Sequence, residues 1–398
     1  MEGVNGGWIS KGREVPFEAP SRRCTHGTGR EGNEKGPSQH PKGTGGLMPS
    51  MLLNQPLIIV VGAGGVGKTT LAAALALEKA RSGDDTLVMT FDPSLRLKDT
   101  LGIGEQKDDD EVEVNAGTSG RLTASLLDAR RTFDRLIKSY APDEATRRRI
   151  LGNRFYDHLG GSLAGMMEYM ASERLFEVAN SGRFDTIVLD TPPTRQALDF
   201  LQAPERIVGF LDTGGPKMAA KAWFDDKGKL RATKKLGILG RNVEAFFDRM
   251  VGLELLRDMA EFFQAFAPFF DGFRERALEV QKLLRSPETI FVLISGPGPQ
   301  RVADTLFFAR KLKEAGYHLG PIVVNRVHPG EVQTGIAPPG TETDGRRLLK
   351  WLGSRDAEGV NHLRDLLGAS HPLVEVGLRM DEPTDIESLG DLGERLLG

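Results

Sequence analysis

The sequence predicts an α/β fold: a doubly wound, mostly parallel sheet into which a helical subdomain is inserted. Three observations predict it. Short apolar runs rich in β-branched residues alternate with helical stretches from Leu57 onward, the rhythm of repeated βαβ units. Several of these runs are apolar almost throughout, as strands buried on both faces of a parallel sheet must be. The first of them, "QPLIIVV", runs into "GAGGVGKTT" and then "LAAALALEKARSG", a glycine-rich passage from strand to helix.

Residues 1–50 read as a disordered tail. "THGTGREGNEKGPSQHPKGTGG" is Gly, Ser, Pro and charge with almost no apolar residue, so it cannot offset its ordering entropy. Met48 or Met51 would open the folded part directly, and a misassigned start and a functional tail both stay open. One folded domain is expected over residues 51–398. Its strands are expected at Leu57–Val61, Thr86–Phe91, Leu122–Leu126, Thr186–Asp190, Ile290–Ser295, Pro321–Asn325 and Leu373–Val376. Helices fall between them, for example at Thr69–Arg81 and Arg301–Ala315. Two stretches, about 129–183 and 205–285, break the rhythm. They are long, helical and rich in Phe, Met and Leu, and are read as the helical insertions. The acidic stretch "EQKDDDEVEV" (105–114) reads as a solvated loop rather than a metal site, and "IAPPGTETDG" (336–345) as a second loop.

Composition narrows the function. A chain of 398 residues, 39% hydrophobic, is long enough to bury a sizeable core. A net charge of −3 gives no field for nucleic acid or acidic lipid, so no nucleic-acid partner is expected. The one cysteine, Cys24, allows no disulfide framework and no CxxC metal site. That suits a reducing, cytoplasmic setting. No run approaches ~18 consecutive apolar residues, so none is expected to span a membrane.

Gly62-x-x-x-x-Gly67-Lys68-Thr69 satisfies the phosphate-loop pattern GxxxxGK[ST] in the required strand-to-helix context. Glycines let the backbone curl so that successive N–H groups converge on phosphate oxygens, helped by the positive end of the helix. Gly62, Gly64, Gly65, Val66, Gly67, Lys68, Thr69 and Thr70 are therefore the candidate nucleotide-binding residues. Lys68 is expected to reach the β- and γ-phosphates, and the Thr69 hydroxyl to ligate Mg²⁺.

Two further strands end in a carboxylate. "TLVMTFDPSLRLKD" places Asp92 at one strand end, and "FDTIVLDTPPT" places Asp190 at another. In open α/β sheets ligands bind at the carboxyl ends of the strands, so both would face the phosphates. Asp190 is expected behind the Mg²⁺, holding metal waters. Asp92 is expected to orient water in line with the γ-phosphate, most of what a hydrolase needs for a loose transition state. A strand-end Asp can equally cap the turn that follows.

The set "GGVGKTT", "FDPSLRLKD", "FDTIVLDTPPT" and "GPIVVNR" resembles the arsenite pump-driving (ArsA) ATPase family. That family also holds the ATPase that targets tail-anchored membrane proteins. The resemblance runs over roughly residues 55–395. It implies a P-loop NTPase of the deviant Walker A class, an ATP phosphohydrolase using ATP and Mg²⁺. It also implies that Asp92–Asp99 is a first switch segment, with Asp92 activating water, and that Asp190–Thr194 is a second. Asn325 would read adenine, with Arg326 in the same binding set, and "LRMDEPTDIESL" would close over the base. On residue type alone Asn325 serves equally as ligand or as strand-end turn residue. The implied partners are a homodimer mate and either a membrane-protein client or a membrane transporter subunit.

The chain departs from the family in several places. Ala63 stands where the family usually has a second lysine that crosses a dimer to the partner's phosphate. Leu95 replaces a switch histidine, and Arg195-Gln196 replace Gly-His. Arg96 or Arg195 could substitute for the missing cation. Cysteines for arsenite or for a zinc-bridged dimer are absent. Met166, Met167, Met170, Met259 and the run Phe262, Phe263, Phe266, Phe269, Phe270 and Phe273 recur at helical spacing, either as core or as an adaptable surface for helical clients. The favoured function is a Mg²⁺-dependent ATPase that couples nucleotide state to a helical subdomain, for partner delivery or anion transport. The alternative is a nucleotide-binding regulatory module with negligible hydrolysis.

Overall fold

The computed structural model describes residue 52 and residues 54–91, 96–103, 111–156, 166–212, 253–330, 345–383 and 385–397. The predicted tail, the 336–344 part of the second loop, and Asp92 lie outside them. The strands are β1 (Leu57–Gly62), β2 (Thr86–Thr90), β3 (Glu111–Val114), β4 (Leu122–Leu126), β5 (Thr186–Asp190), β6 (Thr289–Ser295), β7 (Leu319–Val327) and β8 (Leu373–Gly377). Their order in the sheet is β3-β4-β2-β5-β1-β6-β7-β8. All seven predicted strands are present, and every pairing is parallel except that of β3 with β4.

β3 corrects the reading of 105–114 as loop throughout. In Glu111–Val114 the valines are buried and the glutamates are not, the alternation of an edge strand with one wet face. Glu111 accepts from Arg174 at 2.9 Å and from Arg183 at 2.7 Å, which blunts the edge with charge.

Helices cover both faces. They are α1 (Lys68–Arg81), α2 (Arg96–Thr100), α3 (Ala129–Tyr140), α4 (Glu144–Leu151), α5 (Met166–Ala179) and α6 (Thr194–Asp212). They continue with α7 (Leu253–Phe266), α8 (Phe270–Arg285), α9 (Pro299–Glu314), α10 (Gly345–Leu367) and α11 (Ile386–Leu397). Successive strand residues point to opposite faces, and here both faces are core. Ile58, Val60, Val88, Val188 and Val292 pack with the alanine-rich α1 and with Leu389 and Leu392 of α11. Ile59, Val61, Leu87, Ile187 and Leu293 pack on the other side with α5, α6, α8 and α9.

A third core lies among the inserted helices. Phe133, Tyr156, Tyr169, Phe262, Phe266, Phe269, Phe270 and Phe273 are buried there, with Phe263 half-buried beside them. The phenylalanine stripe is therefore core at these positions, while the side chains of Met166, Met167 and Met259 lie outside the described residues. Helices α5, α6 and α8 each contribute to this core and to the sheet core. At the junction the buried Glu173 pairs with Arg276 and accepts from the Tyr169 hydroxyl at 3.1 Å. Burial pushes the Tyr169 pKa well above the usual phenol range, so it stays a donor. No helix among the described residues is long and apolar enough to cross a membrane.

Candidate active site

β1 is central, and the chain leaves it for β2 on one side and later crosses to β6 on the other. That is the topological switch point, where open α/β sheets present a crevice at their carboxyl ends. The segment between β1 and α1 fills it. Gly62, Gly65 and Gly67 have φ of 153°, 76° and 90°, a region that side chains rarely adopt. A Cβ on Gly62 would also collide with the Ile294 carbonyl of β6, so the loop can hug the neighbouring strand only as glycine. Gly64 and Gly65 are exposed at the loop's tip, and Val66 is buried beneath it.

Gly67 caps α1 without a side-chain bond, and the first turn of α1 carries no acidic residue, whereas its last turn carries Lys79 and Arg81. The helix N-terminus therefore keeps its donors and its partial positive charge available for an anion. Thr70 sits half-buried in that first turn.

Lys68 is buried, and its Nζ donates to the Ala63 carbonyl at 2.9 Å, closing the loop across its mouth. An ammonium has three donors, so Lys68 can serve more than one acceptor. Thr69 donates its hydroxyl to Asp190 Oδ2 at 2.7 Å, and Thr90, at the end of β2, donates to the same oxygen at 3.0 Å. Thr191 donates to the Val60 carbonyl at 2.8 Å, tying the segment after β5 to β1. Asp190 gathers the start of α1 and the end of β2 onto the end of β5.

This set fits Mg²⁺. With its proton committed to Asp190, the Thr69 hydroxyl presents lone pairs outward, as a metal ligand must. Among the described residues no three His, Cys, Asp or Glu side chains gather into a cation cage. Mg²⁺ suits so sparse a protein ligand set, because it keeps waters and takes substrate phosphates as further ligands.

Asn325 and Arg326, far away in sequence, arrive beside the loop at the end of β7. Asn325 Nδ2 donates to the Val66 carbonyl at 2.8 Å, and Arg326 donates to the Gly65 carbonyl at 3.4 Å and to Glu382 at 3.0 Å. Glu382 belongs to the segment expected to close over a base, and this bond brings Glu382 to the same corner. Of the switch arginines, Arg195 is exposed, and the side chain of Arg96 lies outside the described residues.

A shallow cleft beside the loop is lined by Gly62, Ala63, Thr194, Ser295, Arg301 and Thr305 among others. Thr191 falls within the predicted second switch segment, whereas sequence reasoning missed Thr90 and Arg301. Thr90 stands two residues before the predicted Asp92 in "MTFD", and that adjacency was the available signal. Nothing local marks Arg301.

Comparison with known proteins supports the same reading. Residues 55–221 match the family described as anion-transporting ATPase. An uncharacterized protein of Streptomyces coelicolor is 27% identical over 310 residues, covering 77% of this chain and 71% of that protein. ATPase GET3 of Malassezia globosa is 23% identical over 343 residues, covering 84% of this chain and 89% of its own length. ATPase get3 of Aspergillus terreus is 32% identical over 148 residues, covering 37% of this chain and 42% of its own.

Proposed function

We propose that the chain, an ATPase, is a divergent member of the ArsA family and runs a Mg²⁺-dependent cycle in which bound nucleotide moves the helical subdomain. The observation that carries this is the Thr69–Asp190–Thr90 junction, with Asp190 and Thr90 buried, which joins the phosphate loop to the ends of β2 and β5. Glycine N–H groups and Lys68 hold the phosphates. Thr69, backed by Asp190, holds the metal, which when bound neutralises charge developing on the phosphoryl oxygens. Asp92, shortly after Thr90 in the chain, orients the attacking water.

The relay to the helices is short. α6 starts at Thr194, just beyond Asp190. Its Ala197, Phe200 and Leu201 pack in the sheet core, and its Ala203, Ile207 and Val208 in the phenylalanine core. A shift of the segment after β5 is therefore carried into the insertion by one helix, as switch segments do in nucleotide-driven transitions.

The cycle serves partner delivery or anion transport by a cytoplasmic protein acting as a homodimer with a membrane-protein client or transporter subunit. The motif resemblance to a family that includes the tail-anchored-protein targeting ATPase supports the first output, and the description of the matched family the second. With a lone cysteine the chain offers no thiol cluster for arsenite.

Lys68→Ala tests the site. The variant is expected to lose at least tenfold in ATP affinity, measured by calorimetry with Mg²⁺, because a charge-assisted bond of about 1.5–3 kcal/mol is removed. Affinity within twofold of the parent would refute the loop assignment.

A further inference from the structure

We propose that Asn325 and Arg326 are positioning residues that clamp the phosphate loop by its carbonyls and so aim its N–H groups at the phosphates. The proposal rests on the reading of residues 62–70 as a phosphate loop. It gives Asn325 a task different from reading the base.

The backbone of β7 is built for such a clamp. Arg326 is, among the described residues, the only non-glycine with positive φ, at 63°. A non-glycine residue is held there at a cost, and such outliers gather at functional sites. It also sits where the β7–β8 register slips, between the pairs Asn325↔Val376 and Val327↔Gly377. A bulge re-aims side chains. In a regular strand the side chains of adjacent residues point to opposite faces. Here both reach the same loop, Asn325 to Val66 and Arg326 to Gly65.

The clamp is internally fixed. The Arg326 backbone N–H donates to Asn325 Oδ1 at 2.9 Å. That sets the amide orientation and leaves Nδ2 as the group facing the loop. Nδ2 stands 2.4 Å from where a Cβ on Gly67 would be, and Gly67 has a φ of 90°, so glycine lets the loop seat against Asn325. On its far side Arg326 is anchored to Glu382 at 3.0 Å.

The consequence follows from peptide geometry. In a planar trans peptide the carbonyl and the next residue's N–H point in opposite directions. Holding the Gly65 carbonyl toward Arg326 turns the Val66 N–H away from β7. Holding the Val66 carbonyl toward Asn325 does the same for the Gly67 N–H. Two donors are thereby pre-aimed before any nucleotide arrives, and the loop need not be ordered at the moment of binding.

The test measures binding of ATP, GTP and inorganic tripolyphosphate to the full chain by calorimetry with Mg²⁺, for the parent, Asn325→Ala and Arg326→Gly. A clamp predicts that Asn325→Ala weakens all three ligands by a common factor of about 5–10, the worth of one lost hydrogen bond. The ratio of ATP to GTP affinity stays unchanged. Arg326→Gly suits the left-handed backbone, so its melting temperature holds or rises while tripolyphosphate affinity falls about threefold or more. That separates positioning from a folding defect. If Asn325→Ala weakens ATP alone and leaves GTP and tripolyphosphate untouched, Asn325 reads the base and the clamp is wrong. Arg326→Gly binding tripolyphosphate like the parent also overturns it. If the parent binds neither ATP nor tripolyphosphate, the phosphate-loop reading fails first, and the clamp fails with it.

Discussion

Asp190 accepts two hydroxyl protons on one carboxylate oxygen while buried to the last few per cent of its surface. Such a group costs desolvation, and removing it takes an acceptor from each of its two donors. Two substitutions separate its structural task from its chemical one. Asp190→Ala leaves the Thr69 and Thr90 hydroxyls without this acceptor and is expected to destabilise by about 2–4 kcal/mol. Asp190→Asn keeps an acceptor oxygen and sheds the buried charge, so its stability is expected within about 1 kcal/mol of the parent. Both are expected to lose ATP turnover, because an amide cannot supply the negative charge behind a metal ligand. Denaturant midpoints and phosphate release measure the two effects, and an Asn variant that turns over normally would remove Asp190 from the chemistry. At this scale the loop and Asp190 were legible in sequence, since glycine spacing and an apolar strand ending in Asp are local signals. The contact of Asn325 with Val66 was not. It joins residues 259 positions apart, and only the sheet order brings them together.

Helix α11 lies flush on α1 through a glycine face. A Cβ on Gly390 would meet the Arg81 guanidinium, whereas one on Gly393 would meet the Glu78 stem and stand 2.8 Å from the Ala74 carbonyl. The difference decides the sign of substitution. Arg81 is the far end of a flexible chain with its side chain a third exposed, so it can swing aside, and Gly390→Ala then gains helix propensity of up to about 1 kcal/mol. At Gly393 the obstacle is partly backbone, and overpacking of about 1–3 kcal/mol exceeds that gain. Gly390→Ala is expected to be neutral or stabilising, and Gly393→Ala destabilising, in urea melts. The reverse order would show that the two helices are not seated as described. α10 uses the same device toward the site. Gly353 and Gly359 abut the carbonyls of Pro329 and Pro297, so the loops after β7 and β6 rest directly on that helix. Elements of this kind were hard to read from sequence, because a glycine inside a helix looks like a breaker until its neighbour is known. β3 was missed for another reason: its Val-Glu alternation begins inside a run of acids that reads as solvated.

Across the whole molecule, two cores share three helices, and this makes the site and the insertion mechanically one object. Interiors at close-packed density transmit displacement rather than absorb it. Helices α5, α6 and α8 reach from the sheet core into the phenylalanine core, with Glu173 buried at the seam and paired to Arg276. α6 also carries Pro204 next to Ala203, where its packing passes from one core to the other. Proline offers no N–H to the carbonyl one turn back, so the helix has a weak point there. If nucleotide state is relayed along α6, ATP with Mg²⁺ should slow backbone hydrogen exchange first in residues 62–70 and 186–193. Exchange should also change, in either direction, in α6 beyond Pro204 and in the facing α8. Exchange reports local opening free energies, so a shift of 1.4 kcal/mol appears as about tenfold in rate. Lys68→Ala supplies the control, because the same additions should then leave every one of these segments at its nucleotide-free rate. Protection confined to the loop and the segment after β5, with α6 and α8 unchanged to within twofold, would mean that the insertion does not sense the phosphate through this helix, and the coupling would have to run by another path.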